Sequence, residues 1–224
     1  MKIIDDLDAT QIRVLGALME KEQATPEYYP LTVNALIAAC NQKSNRDPVV
    51  QLSETEVVEA LDSLAVDTLV WRSDGARAER WRQSISRRLE LDAEEKALLT
   101  VLLLRGPQTV GELRSRSTRL HKFDSPSEIE AALERLTAEG RELVAELARR
   151  PGQKENRWAQ LLSGPVEEAA SPAPRLSPAP ASPASRMSNS RSDELADRVT
   201  RLEEALAKLA VEVERLGRAD DSEV

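Results

Sequence analysis

Cysteine and histidine each occur once in 224 residues, and aromatic residues make up only 3% of the chain. A single thiol, Cys40, excludes an internal disulfide framework and fits a reducing compartment. There is no Cys/His spacing of the metal-ligand kind and no glycine-rich phosphate loop. Nothing gathers the groups that catalysis needs, so neither an enzyme nor a cofactor is expected. No run approaches 18 consecutive apolar residues, which argues against a membrane span. The opening MKIIDDLDATQ soon turns acidic and lacks the apolar core of a secretion signal. The reading is a soluble, cytoplasmic protein.

Hydrophobic residues are 41% and charged residues 31%. With so few rings, the core must be Leu, Val, Ile and Ala, which suits packed helices better than a sandwich or barrel. The net charge of −8 is unevenly spread. Residues 1–84 hold 9 Lys/Arg against 14 Asp/Glu, residues 85–164 hold 14 against 13, and residues 165–224 hold 8 against 12. A protein that coats nucleic acid would be basic throughout, so any DNA contact here must be local.

The chain repeats itself. LDATQIRVLGALMEK (7–21) answers to LDAEEKALLTVLLLR (91–105), and PLTVNAL (30–36) to PQTVGEL (107–113). SETEVVEALDSL (53–64) answers to SPSEIEAALERL (125–136), and ERW (79–81) to NRW (156–158). The same four segments in the same order mark two tandem domains, 1–84 and 85–164.

Each segment has a local physical meaning. Asp8 and Asp92 are helix N-caps, with Gln11 and Glu95 three residues on. Thr109 with Glu112, Ser53 with Glu56 and Ser125 with Glu128 read as capping boxes, in which hydroxyl and acid satisfy each other's backbone N–H. Pro126 takes the first helical position, where its missing donor costs nothing. Leu15, Leu18 and Met19, or Leu99, Leu102 and Leu103, form the buried stripe of each first helix. Val57, Leu61 and Leu64, or Ile129, Leu133 and Leu136, do so in each third helix. Hairpins should follow, Leu69–Arg72 with Arg77–Trp81 around Asp74-Gly75, and Leu143–Leu147 with Arg157–Leu161 around Pro151-Gly152. Three helices and a hairpin in about 75 residues describe a winged helix-turn-helix unit. The predicted class is mainly α (α+β), two such units in tandem.

Residues 165–191 hold six of the 12 prolines among Ala and Ser. Such a stretch cannot bury enough apolar surface to fold and reads as an extended linker. Residues 192–217 then turn helical. Leu195, Val199, Leu202, Leu206, Leu209, Val213 and Leu216 recur at alternating spacings of four and three. Val at a and Leu at d favour a two-stranded parallel coiled coil, hence a homodimer. The alternative is an amphipathic helix folded back on its own domains. Residues 218–224 read as a disordered tail.

TPEYYPLTVNALIAACNQKSNRDPV resembles the signature of the YceH-like proteins, a bacterial family of tandem winged-helix proteins. The resemblance continues through LLLRGPQTVGELRSRS and LARRPGQKENRW and covers about residues 7–164. It implies the fold and little chemistry. The Pro-rich linker and zipper lie outside it and read as an extension.

Within that signature, Asn41–Pro48 joins the second helix to the third. Asn, Asp and Pro suit a plain turn. Alternatively, Lys43, Asn45 and Arg46 touch a phosphate at a groove edge. Cys40 reads as a small buried hydrophobe. The third helices are poor DNA readers: residues 53–67 carry five acids and no Lys or Arg, and residues 125–139 carry only Arg135 as a cation. The cations of the second domain sit elsewhere. Arg114, Arg116, Arg119 and Lys122 follow its second helix, and Arg149, Arg150 and Lys154 crowd its wing. Together they could track a DNA backbone, or they are a solvated surface balanced by glutamates. The expectation is a double-stranded DNA-binding protein of regulator type, with a protein-interaction module as the alternative.

Overall fold

The computed structural model describes residues 6–73, 79–149 and 155–165. Its elements form a mixed α+β arrangement with the same order twice. In the first half, helices α1 (Ala9–Ala24), α2 (Val33–Cys40) and α3 (Glu54–Val66) lead to strands β2 (Val70–Ser73) and β3 (Arg80–Gln83). A two-residue strand β1 (Leu31–Thr32) precedes α2. A one-turn helix α4 (Ile85–Arg88) connects to the second half. There α5 (Ala93–Arg105), α6 (Val110–Ser117) and α7 (Pro126–Thr137) lead to β4 (Val144–Leu147) and β5 (Arg157–Gln160). Seven helices are thus present among the described residues, none long and apolar enough to cross a membrane.

The helices start where their caps dictate. Asp8, Ser53, Asp92 and Thr109 each close a reciprocal capping box on the residue three positions on. The box expected at Ser125 is half-formed. Its hydroxyl accepts from the Glu128 N–H at 3.3 Å, but the Glu128 carboxylate turns to the Asp124 N–H at 2.9 Å. The hairpins form as antiparallel pairs; β2, β4 and β5 lie within one residue of the expected bounds, whereas β3 starts three residues later and ends two residues later than Arg77–Trp81. Asp74-Gly75 and Pro151-Gly152 lie outside the described residues.

A third strand escaped the sequence reading. β1 joins the first sheet in the order β1-β3-β2, with Leu31 opposite Trp81. In the second half Gln108 bridges Trp158 through backbone bonds of 2.9 and 2.7 Å. These are the repeated PLT/PQT and ERW/NRW segments, so the duplication extends into long-range pairing.

The centre of the molecule is α1 against α5. Ile12–Met19 of α1 and Ala97–Leu104 of α5 are buried almost without interruption. A helix apolar on every side is one that is covered on every side, and each of these packs on its own half and on the other. Gly16 makes the approach possible: a Cβ there would stand 3.0 Å from both Leu103 Cβ and Leu104 Cδ2. The predicted stripes of α1, α3, α5 and α7 all fall in this shared core. Both halves belong to one compact unit, Met1–Ala169.

Candidate nucleic-acid interface

The loop after α2 is built from inside by two arginines. Arg13 and Arg46 are each only 5% exposed. Arg13 donates to the carbonyls of Pro48 (2.7 Å) and Cys40 (3.4 Å). Arg46 donates to the Ala39 carbonyl at 2.8 Å and spans both oxygens of Glu20, at 2.7 and 3.0 Å. Asn41 ties the loop ends together, bonding the Leu52 N–H at 2.7 Å and its carbonyl at 2.8 Å. The Asp47 N–H reaches across to the Leu104 carbonyl of α5 at 2.9 Å. Asn45 sits at φ 60°, a left-handed conformation that asparagine tolerates better than most residues.

This arrangement corrects the phosphate-contact assignment of Arg46, whose guanidinium is enclosed and already matched by a carboxylate. Lys43 and Asn45 remain exposed. The Asn45 side-chain oxygen accepts from Arg105. Cys40 is fully buried, as read. Burial pushes its thiol up to about 12, against the opposing pull of Arg46 and Arg13.

Lys43 and Asn45 form one wall of a groove of about 1190 Å³. Arg116 and Arg119 stand on another wall, with Lys21 and Arg105 at the ends of α1 and α5. Five cations line this space against one acid, Glu20, which is bonded to Arg46 and stands 3.3 Å from Lys21. Arg116 is partly balanced by Glu112 at 3.2 Å. Burial depresses the Arg105 pKa, and the charges of Arg116 and the enclosed Arg46 depress it further against the opposing pull of Glu20 and Asp47.

The groove joins equivalent parts of the duplication. Lys21 and Arg105 occupy the same position in the aligned first helices. The loop after α2 faces the segment that ends and follows α6. Lys21 and Arg105 were missed from sequence, although they close the first pair of repeated segments.

The remaining candidates fall elsewhere. Arg114 and Arg116 lie within α6 and do not follow it. Arg114 is exposed and donates to the Asp124 carbonyl at 2.8 Å. Lys122 and Arg149 are exposed but do not line the groove. His121 packs edge-on against Phe123, ring centroids 4.7 Å apart, as part of the local packing. Arg150, Lys154 and the whole seam Leu195, Val199, Leu202, Leu206, Leu209, Val213 and Leu216 lie outside the described residues. Arg135, the one cation of residues 125–139, is taken up by Asp92 (3.0 Å) and Glu94 (2.8 Å).

The described unit is therefore a duplicated helix-and-hairpin protein with a cationic groove between its halves. Residues 7–153 match the family model described as "Protein of unknown function, DUF480", and the chain belongs to that family. It is 47% identical over 214 residues to a UPF0502 protein of Acidovorax sp. (strain JS42), covering 94% of this chain and 92% of the relative. A UPF0502 protein of Geotalea daltonii is 53% identical over 169 residues, 75% of this chain and 78% of that one. A third, from Solibacter usitatus, is 45% identical over 213 residues, 95% and 97% of the two chains. Matches of this length take in most of residues 165–224. The family model itself ends at residue 153, short of the Pro-rich and zipper segments.

Proposed function

We propose that this chain is a non-enzymatic, tandem winged helix-turn-helix protein of the DNA-associated, regulator type, dimeric through residues 192–217. The repeated order of three helices and a hairpin supports the fold. The observation that carries the function is the groove, where Lys21, Lys43, Arg105, Arg116 and Arg119 converge from both halves. The groove holds the phosphate backbone of a duplex, and Lys122 and Arg149 extend the contact beyond its rim. Contact by the third helices is disfavoured, because α3 carries no cation and Arg135 of α7 is committed to α5.

Fluorescence anisotropy with a labelled duplex, read at about 50 and 200 mM salt, tests this. Each neutralised phosphate contributes roughly −0.9 to the slope of log K against log salt. Arg116→Glu with Arg119→Glu should abolish binding, and Lys43→Ala should flatten the slope by about one contact. Absence of salt-sensitive binding to any duplex sinks the proposal. For the dimer, sedimentation of the full chain carrying Leu202→Asp and Leu209→Asp should show a monomer, and an unchanged mass would remove the seam from the interface.

The second reading, a protein-docking module, is favoured by one feature. Glu130, Glu134, Glu146 and Glu155 gather with Trp158 around a cleft of about 750 Å³ between α7 and the second hairpin. A stoichiometric partner retained after nuclease treatment would support it over the DNA reading.

A further inference from the structure

A second pocket, away from the cationic groove, has a different chemistry. It measures about 800 Å³ and is lined by the first hairpin, α4 and the facing residues of α1 and α5. On its hairpin side Trp71 is 57% exposed and lies directly opposite Arg82 in the β2–β3 register. Such cross-strand neighbours share a sheet face with Cβ atoms about 5 Å apart. Arg87, within α4, is a second exposed cation of the lining, beside Arg88, which donates to the Asp67 carbonyl. Neither Arg82 nor Arg87 has an ion-pair partner among the described residues. The acid of the pocket, Glu22, is already occupied: it accepts from Lys96 and from the Gln83 side chain.

The floor also holds unspent hydroxyls. Gln83 is engaged at both ends, donating to Glu22 through its amide nitrogen and accepting the Ser86 N–H through its oxygen at 3.0 Å. Ser86 Oγ is buried and without a partner among the described residues. Tyr29 accepts the Gln83 N–H at 2.6 Å, which leaves its own proton to give. Burial raises the Tyr29 pKa, so the hydroxyl stays a donor at neutral pH.

A lone exposed tryptophan is ordinary on a protein surface. An indole face beside two guanidinium groups with no ion-pair partner among the described residues, above a floor with one unpartnered hydroxyl and a second that still has its proton to give, is a set that complements one ligand chemistry. We propose that this pocket binds a nucleobase together with its phosphate: the base stacks on Trp71, Arg82 and Arg87 hold the phosphate, and Ser86 and Tyr29 meet the polar edge. The pocket volume suits a mononucleotide. An unpaired base of a nucleic acid strand offers the same chemistry, since stacking on an aromatic ring tolerates any base. The inference stands independently of the duplex reading, because it shares no residue with the cationic groove.

The test titrates the full-length protein with adenosine 5′-monophosphate, and separately with a single-stranded deoxyadenosine octamer, by calorimetry and tryptophan emission. Binding with quenched emission is expected, and Trp71 should carry the quench because Trp81 is buried and the half-buried Trp158 lines a different cleft. Adenosine and ribose 5-phosphate should each bind more weakly than the intact nucleotide. Trp71→Ala and the pair Arg82→Gln/Arg87→Gln should each weaken binding roughly tenfold or more. Trp71→Phe should keep the calorimetric signal while losing the quench, which guards against a merely unfolded variant. Arg116→Glu/Arg119→Glu should leave it unchanged. Preference for the nucleotide identifies a small effector, and preference for the octamer identifies an unpaired strand; either supports the site. Failure of both probes to bind at about 1 mM, or binding indifferent to the Trp71 and arginine substitutions, overturns it.

Discussion

Arg46 closes its guanidinium on both carboxylate oxygens of Glu20, at 3.0 and 2.7 Å, with the arginine side chain wholly removed from solvent. The pair fastens the loop after α2 to α1, and so sets where Lys43 stands relative to Arg105 and Arg116. Removing Arg46 leaves the largely buried Glu20 with only Lys21, 3.3 Å away, to match it, and loss of a buried partner costs up to about 3–5 kcal/mol. Arg46→Ala should therefore lower stability by roughly that amount in urea or thermal unfolding, whereas Lys43→Ala on the exposed side of the loop should stay within about 0.5 kcal/mol. Equal effects of the two would contradict the inward placement of Arg46.

The same pair gives an acid limb to stability. Burial alone would raise the Glu20 carboxyl, but hydrogen bonds and charge from Arg46, aided by Lys21, reverse this and hold it below its ordinary value of 4.5. A carboxylate depressed in the folded state contributes stability that is fully present above the unfolded pKa. That contribution is lost as pH falls through the folded pKa, because the unfolded chain takes up the proton first. Denaturation midpoints followed downward from about pH 6 should fall once pH drops below about 4.5. Glu20→Gln should start lower and flatten that portion of the curve; an unaltered slope would remove Glu20 as a cause.

Gly16 should tolerate no branched side chain. A Val there places carbon against Leu103 Cβ, which cannot swing aside without moving α5. Overpacking of this kind costs about 1–3 kcal/mol, occasionally more. Gly16→Val should lower the thermal midpoint, and the wild-type protein should melt in a single transition, since both halves share the α1–α5 core. A wild-type melt with two separate transitions would show that the halves do not depend on that contact.

Cys40 should be chemically silent in the folded protein. With its thiol pushed up to about 12 from 9.0 by burial, the thiolate fraction at pH 8 falls by about a thousandfold. Its sulfur is enclosed, 4.0 Å from the Arg13 carbonyl. A small thiol reagent should label it only on unfolding, and rapid stoichiometric labelling of native protein would contradict its enclosure.

Much of the local architecture was legible in the residues. Helix starts follow from a side-chain oxygen placed three residues before its partner, and helix faces from apolar spacing, both being interactions within one or two turns. The departures came from longer reach. The Glu128 carboxylate takes the Asp124 N–H in place of the Ser125 N–H, a choice of one residue that spacing does not encode. β1 was invisible because two residues carry no period and become a strand only when Trp81 arrives opposite Leu31.

The site divides in the same way. That Arg116 and Arg119 cluster, and that the loop 41–48 is richer than a turn requires, could be read directly from the chain. That Arg46 points inward while Lys43 points out could not, because both are cations in a polar stretch and only Glu20, 26 residues earlier, tells them apart. Joining Lys43 to Arg119, or Trp71 to Arg87 across one pocket, depends likewise on how two helices meet at Gly16 and how a hairpin feeds α4. The sequence by itself determined the duplicated elements, since these rest on contacts a few residues apart. Which charges were spent within the fold and which were left facing one another was decided only by tertiary packing, where distance along the chain no longer measures distance in space.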